Sequence, residues 1–209
     1  MPLPALQEAV VGRHLNVVKL LAQTPGVNVN MRVASDQGRN ALELAAEGGS
    51  LEIVRYLVEE AGADVDFPQF EANAHGTTAL RTAASSGRAD MVRYLISKGA
   101  EVNTTSGYSF ETALSSAVDE GHDDIVEILV EYGADLDLAS VFGETAIETA
   151  AHRGRESTVQ ILLRAKSNTP DLSAAALRAA ISGGEIDIAK LILNYGSINV
   201  NAADRKSVV

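Results

Sequence analysis

The sequence predicts an all-α solenoid built from helix–turn–helix units with projecting loops. One stretch, Thr77 to Asn103, forms two short amphipathic patterns that are separated by Gly87 and ended by Gly99. Similar stretches recur six times in 209 residues. The chain is 46% hydrophobic but only 4% aromatic, which suits close stacking of helices through small side chains. Because neither helix of a unit could bury its apolar face alone, the units are expected to stack on one another.

Each unit begins with a first helix that is marked by one large apolar residue. These residues are Leu6, Leu42, Leu80, Leu114, Ile147 and Leu177, at spacings of 30 to 38 residues. We therefore predict one domain over residues 1–209, with repeats at about 1–30, 36–66, 73–103, 106–137, 140–166 and 171–201 and a tail at 202–209. The first repeat enters its helix directly after Pro4 and is predicted to be a terminal cap.

Three connections depart from the common pattern. The loop from Asp64 to Gly76 is longer than the others. Phe110 stands where other loops carry glycine, so we expect that turn to be built differently. The connection from Lys166 to Asp171 lacks the Gly-Ala pair that ends most units, and we expect a distorted junction there.

The repeated pattern resembles the ankyrin repeat, G-x-T-P-L-H-x-A-A-x-x-G-H-x-x-x-V-x-x-L-L-x-x-G-A-x-x-N. Two examples are NALELAAEGGSLEIVRYLVEEAGADVD at 40–66 and TALSSAVDEGHDDIVEILVEYGADLD at 112–137. The family proline is replaced by Ala41, Ala79, Ala113, Ala146 and Ala176, a habit that looks like ankyrin proteins of filamentous fungi. The histidine of the T-P-L-H tetrapeptide is replaced by Glu43, Arg81, Ser115, Glu148 and Arg178. We expect this loss of a local hydrogen-bonding device to lower stability relative to the family consensus.

The resemblance implies a protein or peptide partner, which the family binds on a concave face of loop tips and first-helix residues, and it implies no cofactor. The residues that match these positions are Arg39, Glu47, His75, Thr77, Ser85, Ser86, Tyr108, Glu111, Asp119, Glu120, Phe142, Glu144, His152 and Arg153. The leading hypothesis is a non-catalytic protein–protein interaction module.

The aromatic residues are distributed unusually for a helical protein. All four phenylalanines, Phe67, Phe70, Phe110 and Phe142, lie in or beside the loops rather than on helix faces. Exposed aromatic rings are frequent hot spots of protein interfaces. The alternative is that each ring packs over its own turn or an adjacent loop, and both can hold for different rings.

A second function is open on the same face. Asp119, Glu120, His152 and Arg153 are expected on adjacent repeats, and two carboxylates beside a histidine are the groups that general acid–base catalysis uses. The alternative function is therefore an unusual enzyme or small-molecule binder in this groove. Polar residues at these positions are also typical of an ordinary partner-contact surface or a solvated face.

Composition limits the remaining functions. The net charge is −11, and the 17 basic residues are scattered, so we expect neither nucleic acid nor membrane as a partner and favour one with basic groups. No histidine pair has metal-ligand spacing on one helix, and no Gly-Lys-Ser/Thr phosphate loop occurs, so no metal site is expected. The absence of cysteine suits the cytoplasm or nucleus. We predict no signal peptide and no transmembrane helix.

Overall fold

The computed structural model describes residues 4–32, 38–67, 77–106, 110–165 and 170–195, and these residues contain helices but no β-strand beyond two isolated bridges. The first helices of the successive pairs are α1 (Ala5–Val11), α3 (Ala41–Glu47), α5 (Ala79–Ser85), α7 (Ala113–Glu120), α9 (Ala146–His152) and α11 (Pro170–Gly183). The second helices are α2 (Leu15–Ala22), α4 (Leu51–Glu59), α6 (Ala89–Ser97), α8 (Asp123–Glu131), α10 (Glu156–Ala165) and α12 (Ile186–Tyr195). The predicted all-α fold class is confirmed.

The pairs stack in chain order into two layers. Each first helix contacts the next first helix, from α1 and α3 through α9 and α11. The second helices form the other layer, in which α2 contacts α4, α6 contacts α8, and α8 contacts α10. The structure is thus the predicted solenoid of helix–turn–helix units.

Small residues allow the first helices to approach closely. Ala46, Ala83, Ala84 and Ala117 are fully buried between neighbouring helices, while larger side chains such as Leu95 fill the space between the two layers. Because the neighbours leave little space, interiors packed in this way resist enlargement of a buried alanine.

Side chains at the start of each first helix complete its hydrogen bonding. Asn40 Oδ1 accepts from the Glu43 backbone N–H at 2.9 Å, and Glu43 Oε2 accepts from the Asn40 N–H at 3.0 Å. Thr112 with Ser115, and Thr145 with Glu148, form the same reciprocal capping box. The residues that replace the family histidine therefore supply a hydrogen-bonding device of their own. The lower stability expected from the loss of the histidine stays a prediction.

Two of the three irregular connections are described in part, without residues 107–109 and 166–169. Phe110 has φ 51°, in the same left-handed region as Gly38 (φ 74°) and Gly143 (φ 76°). Phenylalanine thus adopts the backbone conformation that glycine adopts in those two loops. Residues 107–109 of this turn lie outside the described residues, so the expectation that the turn is built differently stays a prediction. At the other junction α11 starts at Pro170 and has 14 residues, twice the seven of α9. The helix thus continues through the end of the predicted connection, which is the distortion that we expected there.

Candidate partner-binding face

The predicted residues on helices lie in the last turns of four stacked first helices. Glu47, Ser85, Asp119 and His152 occupy equivalent positions of α3, α5, α7 and α9, and the following position holds Ser86, Glu120 and Arg153 in the last three of these units. Because α3, α5, α7 and α9 pack side by side, these positions form one row across the units. We call these seven residues the helix-end row.

Two acidic members of the helix-end row pair with arginine. Asp119 Oδ1 lies 3.0 Å from Nη2 of Arg153, which joins two neighbouring units. Glu47 forms an ion pair with Arg39 in the loop before the same helix. The structure therefore brings together Asp119 with Arg153 and Glu47 with Arg39, and much of the charge of these four residues is balanced locally.

The predicted residues at α5 contribute mainly to their own turn. Thr77 is half-buried, and its Oγ1 lies 3.4 Å from Oγ1 of Thr82. The Ser85 hydroxyl donates to the Thr82 carbonyl at 3.1 Å, and Ser86 ends the helix. The Ser85 hydroxyl can donate to a partner only by giving up its bond to the Thr82 carbonyl, whereas its oxygen can still accept a hydrogen bond.

Arg81 connects the predicted Glu111 to the rest of the face. Its guanidinium pairs with Glu111, donates from Nε to Ser116 Oγ at 3.0 Å, and donates from Nη1 to Ser106 Oγ at 3.2 Å. Ser106 and Glu111 exchange backbone hydrogen bonds of 2.9 and 3.2 Å. Arg81 thus fixes the base of the loop that carries Phe110. Sequence reasoning missed this role because its partners are 25 to 35 residues away.

A compact turn presents Phe142. Ser140 N–H donates to the Glu144 carbonyl at 3.0 Å, Gly143 N–H donates to the Ser140 carbonyl at 2.9 Å, and Phe142 N–H donates to Ser140 Oγ at 3.2 Å. The Phe142 side chain is 83% exposed, and its neighbours Val141 and Glu144 are also exposed. The backbone is therefore held in place while the ring stands in solvent.

The phenylalanines divide between the two interpretations. Phe110, 57% exposed, lies in the loop before α7, directly before Glu111, and Phe142 lies in the loop before α9. Phe67 instead is half-buried, with the Arg32 guanidinium 5.7 Å from the ring centroid. Phe67 therefore packs within the protein, whereas the exposed rings of Phe110 and Phe142 are available to a partner. Phe70, and the predicted site residues His75 and Tyr108, lie outside the described residues.

The four candidate acid–base residues do not form one hydrogen-bonded group. Asp119 pairs with Arg153, while the side chains of Glu120 and His152 are exposed and have no hydrogen-bond or ion-pair partner among the described residues. A nearby cleft of about 430 Å³ includes Arg153 but none of the other three. Its lining residues are Gly121, Asp123, Arg153, Gly154, Arg155, Glu156, Ser157 and Thr158.

The described part of the chain contains no group of three or more histidine or acidic side chains arranged to hold a metal ion. It also contains no helix of the length and apolar character that crossing a membrane requires.

Comparison with known proteins identifies the repeat. The family model for ankyrin repeats, described as three copies, matches residues 2–69, 68–140 and 114–204. A search of curated proteins gave no match. Since the family model covers nearly the whole chain, and the paired helices stack as the resemblance implies, the chain belongs to the ankyrin-repeat family.

Proposed function

We propose that this chain is a non-catalytic interaction module that binds a protein or peptide on its loop tips and helix-end row. Ankyrin repeats are generally protein–protein interaction modules. The observation that carries the choice of face is the exposure of Phe110 and Phe142 in two successive loops. Large apolar side chains held in solvent on a hydrogen-bonded backbone are suited to anchor a partner.

The charges beside these rings suggest the chemistry of the partner. Glu144 is exposed two residues from Phe142, and Glu120 is exposed in the helix-end row. Glu47 and Asp119 are less available for new ion pairs because Arg39 and Arg153 already balance them. We therefore propose a segment with an apolar side chain for the two rings and a basic group for Glu144 or Glu120.

The hydrogen bonds beneath the loops support tight presentation of the rings. Arg81 joins the Phe110 loop to α7 through Ser116, and Ser140 closes the Phe142 turn. Loops that are ordered before binding lose little conformational entropy when the partner arrives. This preorganisation favours binding by a preformed surface.

We also propose a cytoplasmic or nuclear location for the protein.

The test is to replace Phe142 by alanine. Proteins retained from native lysate by the wild type are identified by mass spectrometry, and the affinity of the isolated partner is then measured by calorimetry. We expect Phe142→Ala to weaken binding at least about tenfold, as for a moderate hot spot, and to leave the melting temperature nearly unchanged because the ring is exposed.

Tyr132→Ala is the matched control, because Tyr132 is a half-exposed aromatic residue just after α8 in the other layer. The control should retain wild-type affinity. Equal loss of binding in both variants would exclude the loop tips as the binding face. A large drop in melting temperature for Phe142→Ala would instead show that the ring stabilises its turn.

A further inference from the structure

The two ends of the solenoid expose apolar positions that are buried or partly buried between the internal units. Positions can be compared by counting from the left-handed residue that follows each first helix. These residues are Arg13, Gly49, Gly87, Gly121, Gly154 and Gly184. Counted in this way, residues at the same position can be compared between the interfaces inside the chain and the two ends of the array.

The fourth and seventh positions after the left-handed residue face the preceding unit. At the seventh position Tyr56 Oη donates to the Lys19 carbonyl at 3.4 Å, and Tyr94 Oη donates to Glu59 at 3.2 Å. At the fourth position Thr158 bonds Asp123 of the unit before. In the first unit these positions are Val17 and Leu20, which are 44% and 68% exposed. Among the described residues, which begin at Pro4, none covers this backward-facing surface of the first unit.

The third position before the left-handed residue faces the following unit. Val10, Ala46, Ala84, Val118 and Ala151 occupy it in the first five units, and all are buried. In the last unit the residue is Ile181, which is 66% exposed. Leu193 in α12 is also exposed, whereas Ile96 and Val130 at its equivalent position pack against the core. Among the described residues, which end at Tyr195, none covers this forward-facing surface of the last unit.

The turns supply an additional match between the ends. The residue that follows the left-handed residue of one unit packs over the left-handed glycine of the preceding unit. For example, His122 lies over Gly87, and its Nε2 is 3.2 Å from the Ser85 carbonyl oxygen. No side chain in the described part of the chain covers Gly184 in this way. The equivalent of His122 in the first unit is His14, which is exposed. A copy stacked on α11 and α12 could therefore place His14 over Gly184.

We propose that the C-terminal end of one copy binds the N-terminal end of a second copy, continuing the stacking seen inside the chain. Val17 and Leu20 of one copy would cover Ile181 of the other, and His14 would cover Gly184. The two surfaces differ, so the contact is head-to-tail and leaves one free surface at each end of the pair. Such an interface builds chains that lengthen with concentration unless the rotation closes a ring.

The experiment blocks each end separately in the full chain. Sedimentation analysis should show wild type growing beyond dimers as concentration rises. Leu20→Glu and Ile181→Glu should each remain monomeric, because each lacks one of the two surfaces. An equimolar mixture of the two variants should form a dimer and nothing larger, since only one productive contact remains.

Three results decide against the proposal. The wild type could be monomeric at all concentrations, one variant could self-associate alone through a symmetric contact, or the mixture could remain monomeric. Circular dichroism verifies that each variant is folded, which is expected because Leu20 and Ile181 are largely exposed. Tyr132→Glu, at a half-exposed residue away from both ends, is the matched control and should assemble like the wild type.

Discussion

At the scale of single residues, Phe110 combines strain with exposure. Its φ of 51° lies in the left-handed region, where a side chain with a Cβ is disfavoured by roughly 1–2 kcal/mol. The ring is more than half exposed, so it recovers little of this energy by burial. Strain maintained at a bulky surface residue is more typical of binding sites than of structural turns. It is therefore consistent with a role for Phe110 in the proposed interaction.

Phe110→Gly should raise the free energy of unfolding by up to about 1 kcal/mol, because release of strain exceeds the added entropy of glycine in the unfolded chain. Urea denaturation measures the change. The control is Phe142→Gly, since Phe142 has no positive φ and glycine there should lower stability. If Phe110→Gly is also destabilising, the ring contributes more by packing than the backbone loses by strain.

Residue-level roles could be predicted only in part. The sequence located the phenylalanines in the loops, but it did not decide which rings are covered. Phe67 packs because Arg32, 35 residues earlier, reaches its ring, whereas Phe142 has no such neighbour. The pairing of Asp119 with Arg153 likewise depends on the register between two units. These contacts are set by stacking geometry rather than by local pattern.

At the scale of elements, the start of α3 contains a buried carboxyl group. Burial raises the pKa of Glu43 to about 7, while Arg32, 2.6 Å away, and the Asn40 N–H act in the opposite direction. Below the unfolded pKa near 4.5, both states are protonated and the group contributes nothing to pH dependence. As pH rises toward 7 the unfolded state ionises first. Glu43 therefore lowers stability progressively, by roughly 3 kcal/mol once both states are ionised.

Glu43→Gln should remove this dependence, because glutamine is neutral and can still accept from the Asn40 N–H. The variant and wild type should have similar unfolding free energies near pH 4.5, and the variant should be more stable at pH 8. Urea denaturation at both values measures the difference. Glu148→Gln is the control, since Glu148 forms the same box in α9 but is only partly buried. A variant less stable than wild type at pH 8 would show that the Arg32 ion pair outweighs burial.

The helices themselves were the most predictable elements, because period and turn glycines are local signals. Two of the capping boxes also have a sequence signature, Asn-x-x-Glu at 40–43 and Thr-x-x-Glu at 145–148. From the sequence alone, Glu43 and Glu148 are interpreted only as replacements of the family histidine. The length of α11 was not evident. Its sequence between Pro170 and Ala175 carries no apolar period, although proline suits the first turn of a helix.

At the scale of the whole molecule, stability is spread over a line of neighbouring contacts. Each first helix packs on those beside it, and the buried residues form one elongated cluster that runs along the array. The fold class could therefore be predicted from repetition alone. The face and the open ends could not, because exposure at each position depends on whether a neighbouring unit is present.

The position of a destabilising substitution should therefore determine how the array unfolds. Ala83 is fully buried in α5, between α3 and α7, whereas Ala180 is equally buried in α11, which has a first-helix neighbour only at α9. Leucine at either position overpacks the interface by roughly 1–3 kcal/mol. Ala83→Leu weakens the middle of the array and leaves two short segments on either side, near the minimum that stacked repeats need for stability. We expect it to lower the urea midpoint of the entire helical signal.

Ala180→Leu should instead release the last helix pair alone, because only one neighbouring interface opposes its unfolding. Circular dichroism should then show an early partial loss of helix, followed by a main transition close to that of the wild type. Hydrogen exchange should be faster in α11 and α12 and unchanged in α5. If both variants shift a single transition by the same amount, the units unfold together, and coupling between neighbours exceeds the cost of either substitution.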